Sequence, residues 1–352
     1  MRPDRLSGHR GDPDVTIVQP ILSGDPRLAS CLAKNLISNP RAHFLWLVDE
    51  DDAEGRRIVE MLAMHFVNSE LTVSIGPSPS DGENPKLAKL ARGEHLVTSK
   101  VLLVLDDDTI LPAGGAATLA ELVGTGDLVT GIPVYSSWTT LGERLVSGFI
   151  NSQAIPVYFS MAAIGANRSI NGMAYAVRTE DLRRFGGFAA AGHVVTDDYA
   201  VAQLWASHGR RLVQSRVYVE VAITFTTLGE AVRVLRRWFI FANRYLSRNH
   251  SLPTVCLVIA PSILPAVTLP LALGAGWRCA LLWLAVLLSK AAASGLLLRR
   301  LTGQRFRSLN IICEIIADVL APIVYLTAFV RPSQLTWRNR RIRLKRDTIY
   351  YR

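Results

Sequence analysis

The sequence predicts an α/β protein, a mostly parallel sheet flanked by helices over residues 1–250, followed by C-terminal membrane helices. Three observations carry this. Short β-branched runs alternate with helical patterns from Val15 to Gly131, the order that builds a parallel sheet covered on both faces. The apolar bulk of a chain that is 49% hydrophobic sits between Pro253 and Val330. There it forms three stretches near the ~20 residues that cross ~30 Å of hydrocarbon.

The strand-like runs are Val15–Gln19, Phe44–Val48, Leu71–Ile75, Val101–Leu105 and Leu128–Gly131, bounded by turn formers. Asp25 as N-cap and Pro26 as first helical residue open a helix between the first two. Ligands of such sheets bind beyond the carboxyl ends of the strands. Asp49 to Asp52 follow one such end and Asp106 to Asp108 another. After Pro133 the alternation stops. Leu141, Leu145 and Phe149 are spaced for one helix face, and Val157–Ile164 is apolar but too short to span a bilayer. That stretch suits an interfacial segment, the lining of an apolar ligand site, or a buried core helix.

The membrane segments are 253–276, 279–298 and 309–330, the third carrying Glu314 and Asp318 one turn apart. Net charge is +10, with arginines clustered beside these segments at 233–248, 299–307 and 338–346. That patterning fits an anionic leaflet, so no nucleic-acid partner is expected. Cys31, Cys256, Cys279 and Cys313 lack CxxC spacing and predict neither a disulfide framework nor a zinc site. Met1–Pro13 is polar and predicts no secretory signal, which leaves the globular part in the cytosol. Two crossings then return the chain at the basic loop Arg299–Arg307. A third would export the basic tail, residues 332–352, against the positive-inside rule. One segment within 251–331 is therefore expected not to cross fully. The third is the first suspect because of its acids; the first, with four prolines, is the second.

Asp106-Asp107-Asp108 ends an apolar strand, where three adjacent carboxylates repel one another. An acidic turn is the plain reading. Mg²⁺ or Mn²⁺ held by Asp106 and Asp108 would remove the repulsion and bridge to phosphate oxygens of a ligand. At Asp197-Asp198 a helix cap competes with a general base; Asp197 is assigned to polar support and Asp198 to the base. Arg237-Trp238 reads either as an interfacial anchor or as a cation and ring facing a diphosphate. Lys86, after Asn84-Pro85, is either a surface lysine or a phosphate partner.

In this order, Asp49, Lys86, Asp106, Asp198 and Arg237-Trp238 resemble the family-2-like glycosyltransferases of the GT-A fold, and more specifically the ceramide glucosyltransferase family. The similarity runs from Val15 through nearly the whole chain. It includes Asn84-Pro85-Lys86, Thr130-Gly131-Ile132-Pro133, Asn171-Gly172-Met173, Asp197-Asp198-Tyr199 and the tail residues Trp337-Arg338 and Arg341-Ile342-Arg343-Leu344. In the pattern (Gln/Arg)xxRW, Val234 holds the first position, with Arg233 and Arg236 as substitutes. The resemblance implies that Asp49 contacts a uracil base, that Lys86, Asp106, Arg237 and Trp238 bind the donor, and that Asp106 and Asp108 serve the metal. Asp198 would be the base of a single inverting displacement. It further implies a UDP-sugar donor and a lipid acceptor (ceramide, diacylglycerol or hopanoid) giving a β-glycolipid. The expected location is the cell inner membrane, multi-pass, with the catalytic domain cytoplasmic. The alternative is a processive glycosyltransferase adding several sugars to a lipid or glycan; exporting a glycan would need a channel through more helices than these, whereas adding a second or third sugar to a lipid would not. A catalytically inactive scaffold is disfavoured by the intact Asp106, Asp108, Asp198 and Arg237.

Overall fold

A computed structural model describes residues 14–124, 127–191, 194–225, 227–249, 251–303, 308–330, 332–337, 340–345 and 348–351. The N-terminal part runs β1 (Val15–Pro20), α1 (Leu28–Ser38), β2 (His43–Asp49), α2 (Ala53–His65), β3 (Leu71–Gly76), α3 (Pro85–Gly93), β4 (Val101–Leu105) and β5 (Thr109–Ile110). It continues with α4 (Gly115–Leu122), β6 (Leu128–Tyr135), α5 (Leu141–Ala163), β7 (Ala174–Arg178), α6 (Thr179–Arg184), α7 (Asp197–Ser207), β8 (Leu212–Val221) and α8 (Leu228–Arg248). Three apolar helices follow, α9 (Leu252–Gly274), α10 (Trp277–Thr302) and α11 (Ser308–Thr327). The strands β9 (Gln334–Trp337), β10 (Arg340–Lys345) and β11 (Thr348–Tyr351) form a small antiparallel sheet.

The main sheet has the order β3-β2-β1-β4-β7-β6-β8-β5. Its β3-β2-β1-β4 half is parallel, as the sequence predicts. β7 then enters antiparallel to both β4 and β6, so the whole sheet is mixed. Side chains alternate between faces along each strand. Ile17, Phe44, Trp46, Leu103 and Leu105 pack in one apolar cluster; Val18, Leu45, Leu47, Leu102 and Val104 pack in another. That explains why these strands read as unbroken apolar runs: both faces are covered.

Some boundaries move, for local reasons. The first helix begins at Leu28, not at Pro26. Asp25 instead accepts from the Arg27 N–H at 2.7 Å, closing a turn ahead of a helix that has no side-chain cap. β6 passes through Pro133 to Tyr135, because pairing with β8 resumes after an irregularity between Thr130 and Ile132. The apolar helix α5 is opened by a Thr140–Glu143 capping box. α9, α10 and α11 are each long and apolar enough to cross a membrane. α11 nevertheless lies along α5 and α8. The Gly148 position faces the Glu314 backbone, Gln153 donates to Asp318, and the Phe239 ring meets Tyr325 edge-on. Glu314 and Asp318 are buried and face Lys290 of α10, which answers the sequence's puzzle of two acids in an apolar helix. Met1–Pro13, Arg305, Arg307, Arg338 and Arg346, and the side chains of Trp337, Arg341 and Ile342, lie outside the described residues.

Candidate active site

The centre is built on the cap of α3. Asn84 accepts from the N–H groups of Lys86 (2.9 Å) and Leu87 (3.1 Å), with Pro85 at the first helical turn. Its Nδ2 donates to the carbonyls of Val194 (3.0 Å) and Val195 (3.2 Å). One side chain therefore starts the helix that carries Lys86 and ties down the segment that leads into Asp197-Asp198.

Lys86 is buried, not a surface lysine. Its Nζ lies 2.6 Å from Asp106 Oδ1 and 3.1 Å from Asp197 Oδ2, and donates to the Gly172 carbonyl at 2.6 Å. The ammonium therefore sits among two carboxylates and one carbonyl. Burial disfavours the ammonium, but Asp106 and Asp197 outweigh it and hold the lysine well above its ordinary range.

A turn closed by the Thr109 N–H on the Asp106 carbonyl (3.1 Å) separates the three adjacent aspartates. Asp106 is aimed at Lys86, and its N–H donates to the Met173 carbonyl at 2.9 Å. Asp107, on the opposite side, accepts from the Leu22 N–H at 2.8 Å and fixes the loop after β1. The charge of Asp108 raises the Asp106 pKa. Asp108 Oδ1 accepts from the Thr109 hydroxyl at 3.2 Å. Asn35 of α1 secures the chain beyond them, donating to the Thr109 carbonyl and accepting from the Leu111 N–H, both at 2.8 Å. Burial raises the Asp106 pKa; Lys86 opposes this, and Asp108 and Asp197 add to it.

Asp198 opens α7 beside Asp197, and the Thr196 side chain makes no cap bond there. Asp198 Oδ1 accepts from the Tyr199 N–H at 2.7 Å. Burial, then repulsion from Asp197, pushes the Asp198 carboxyl up to about 7, against the Tyr199 N–H and Lys86. A Cβ at Gly172 would stand 3.0 Å from the Asp198 Cβ, so glycine is what lets this backbone pass between the aspartates and Lys86.

These groups share a cavity of about 410 Å³. Lys86, Asp106, Asp197, Asp198, Arg237 and Trp238 line it, and so do Val157, Tyr158 and Met161 of α5 and Val258 and Ser262 of α9. Trp238 is held edge-on against Tyr135, ring centroids 5.5 Å apart. Of the stretch Val157–Ile164, Val157, Tyr158 and Met161 line the cavity, Phe159 packs in an apolar cluster and Ile164 is exposed.

Not every expected residue joins this group. Asp49 is fully buried at the end of β2, its Oδ2 3.0 Å from Lys89 Nζ, and is not in the cavity wall. Lys89 also donates to the Ile21 carbonyl, so Asp49 braces the same post-β1 loop that Asp107 holds. Arg236 is turned away, its guanidinium donating to the carbonyls of Thr327, Val330 and Gln334 at the end of α11. Arg233 pairs with Glu230 on the outer side of α8. Neither stands in for the missing first residue of the RW pattern at Val234.

A divalent ion held by one or two carboxylates and ligand phosphates finds part of its donor set here: Asp106 and Asp197 share a single ammonium, which leaves negative charge for a cation to offset. Asp108, the other expected ligand, is not in the cavity wall. Among the described residues no group of three His, Cys, Asp or Glu side chains is placed to hold a metal ion. An ion here would complete its shell with ligand oxygens and water.

A solved structure shares this architecture. The mannosyltransferase PcManGT from Pyrobaculum calidifontis, solved with GDP-Man and Mn²⁺, aligns with a TM-score of 0.50 at 16% identity, covering 90% of this chain and 87% of its own. Glucosyl-3-phosphoglycerate synthase from Mycobacterium tuberculosis, solved with Mn²⁺, UDP and phosphoglyceric acid, gives 0.39 at 16% identity, covering 67% and 78%. At 16% identity the likeness to the mannosyltransferase concerns the fold alone. No curated protein sequence matches the chain. The sequence profile of Glycosyl transferase family 21 matches residues 2–350, and the chain belongs to that family of sugar-transferring enzymes.

Proposed function

We propose that this glycosyltransferase transfers a single sugar from a UDP-sugar to the hydroxyl of a membrane lipid, with inversion at the anomeric carbon. One observation carries the reading: a single cavity meets the half-buried Asp106, Asp197 and Asp198 with Lys86, and also Val258 and Ser262 of the apolar helix α9. A lipid alcohol needs both, a carboxylate for its proton and an apolar route from the bilayer. In this reading the nucleotide lies over the ends of β1, β2 and β4, where Asp49 and Asp107 brace the receiving loop. Lys86 and Arg237 face the diphosphate, and Asp106 and Asp108 would hold Mg²⁺ or Mn²⁺. When bound, that ion supplies Lewis-acid stabilisation of the departing diphosphate. Asp198 accepts the hydroxyl proton as the lipid oxygen forms its bond to the anomeric carbon and the bond to UDP breaks. An α-configured donor then gives a β-glycolipid.

We place the catalytic part on the cytoplasmic side of the inner membrane, with α9 and α10 as the full crossings. α11 then returns along the catalytic part without crossing. Two contacts support this. Leu344 of the tail is buried in the same apolar cluster as Phe239 and Ile240 of α8, and Arg236 of α8 bonds the Gln334 carbonyl. A tail in contact with α8 sits on the side of the membrane from which α9 departs.

Purified protein in detergent, given labelled UDP-sugars with ceramide, diacylglycerol or a hopanoid, should label a lipid with one of these pairs, and a chelator should stop it. Transfer to none of them would contradict the reading.

A further inference from the structure

Two arginines in the cavity wall take no part in the proposed reaction, Arg168 and Arg248. They come from distant parts of the chain. Arg168 lies in the loop between α5 and β7, and Gln203 of α7 pins that loop by donating to the Arg168 carbonyl at 2.9 Å. Arg248 is the last residue of α8, just ahead of Leu252, where α9 begins. Both residues are exposed and both line the cavity, which puts them on its rim.

An aromatic pair in the same wall connects them. The Arg248 guanidinium lies over the Tyr199 ring, 5.4 Å from its centroid, and Tyr199 meets Tyr245 edge-on at 5.9 Å. The charge of Arg168 reaches Tyr245 from the other chain segment. Burial and then Tyr199 raise the Tyr245 phenol, and Arg168 opposes them. Arg168 forms no ion pair among the described residues.

Interfacial anchoring is the plain reading of an arginine and a tyrosine beside a membrane helix. It accounts for Tyr245 and Arg248, which precede α9. It does not account for Arg168, which sits on a loop of the catalytic part far in sequence from the apolar helices. Two cations and two phenols collected on one rim make a basic pocket at the depth of lipid headgroups. A guanidinium matches phosphate geometrically, offering parallel N–H donors to two oxygens. A neutral alcohol has no use for two full positive charges.

We propose that Arg168 and Arg248, with Tyr199 and Tyr245, form a subsite for the phosphate of an anionic phospholipid, bound at the rim of the cavity and not itself glycosylated. This rests on the reading that the cavity opens to the cytoplasmic leaflet, and it adds a second lipid to that site.

The test titrates the full chain in neutral detergent with fluorescent phosphatidylglycerol and with phosphatidylcholine of the same acyl chains. Both carry a phosphate, but only the first is a net anion. Kd for phosphatidylglycerol should be lower by at least about tenfold. Arg168→Gln with Arg248→Gln should weaken phosphatidylglycerol by at least about tenfold and leave phosphatidylcholine unchanged. Arg299→Gln with Arg300→Gln, exposed at the end of α10, should keep the preference. Binding of UDP reports whether the variants are folded; if the double variant is not, Arg168→Gln alone decides, with an expected loss of about threefold or more. Equal affinity for the two lipids overturns the proposal. So does a folded variant that binds phosphatidylglycerol like the unaltered chain, or an equal loss in the α10 pair. Inorganic phosphate bound as tightly as phosphatidylglycerol overturns the lipid as its source. Sugar transfer to no lipid, with this binding intact, overturns the lipid-transfer reading and leaves the subsite standing.

Discussion

Lys86 Nζ lies 2.6 Å from Asp106 Oδ1, a buried contact that joins the start of α3 to the end of β4. The same ammonium reaches Asp197 on α7. It is the joint at which three separate parts of the chain become one site.

Lys86→Met should therefore cost more than a surface change. Removing one partner of a buried ion pair costs about 3–5 kcal/mol, and here two carboxylates lose their cation. Thermal melting should show a large fall, and turnover should drop by at least about a hundredfold. Lys86→Arg should not restore activity, because the flat guanidinium cannot centre its charge in a site built around one nitrogen. Wild-type turnover in Lys86→Met would show that the pair is ornamental.

The pH profile should have an acid limb set by Asp198. A base must be ionised, and burial raises this carboxyl to about 7. On acidification through that value kcat/KM falls, since the free enzyme's Asp198 takes up a proton; above it the rate levels off. A profile flat from pH 8 to pH 5, measured with donor and lipid below saturation, would remove Asp198 from the role.

Gly172→Ala should separate packing from chemistry. The added Cβ would stand 3.0 Å from the Asp198 Cβ and 3.6 Å from Asp197 Oδ2. Displacement of Asp198 by a fraction of an ångström should lower kcat about 10- to 100-fold, with donor affinity little changed. Wild-type kcat would mean that Asp198 is not held where the reaction needs it.

Much of this was legible in the residues, and the limits have physical causes. The parallel half of the sheet announced itself because both its faces are buried, so Val101–Leu105 and its neighbours are apolar throughout. β8 was missed although Val213, Ser215, Val217, Val219 and Val221 alternate, a half-buried pattern that a search for solid apolar runs passes over. Asp106, Asp198 and Lys86 were recognised by motif order, and the structure brings them together. What no spacing revealed is that Asn84 ties α3 to the segment before Asp197, since its bonds to Val194 and Val195 span about a third of the chain. Nor could sequence show that Asp49 would turn toward Lys89 or Arg236 toward α11, because such pairings depend on elements distant in sequence.

Topology offers a test independent of chemistry. With tags at both ends of the chain, protease treatment of sealed inverted vesicles should reach the two alike, because the tail lies against α8. Protection of one tag and cleavage of the other would require an odd number of crossings and would contradict the placement of α11.

The central claim is that Asp198 deprotonates a lipid hydroxyl. Its most direct test is transfer of labelled sugar by Asp198→Asn in detergent, measured beside UDP binding to the same preparation. The expected result is loss of lipid labelling by at least about a thousandfold with UDP affinity intact; labelling at the wild-type rate would contradict it.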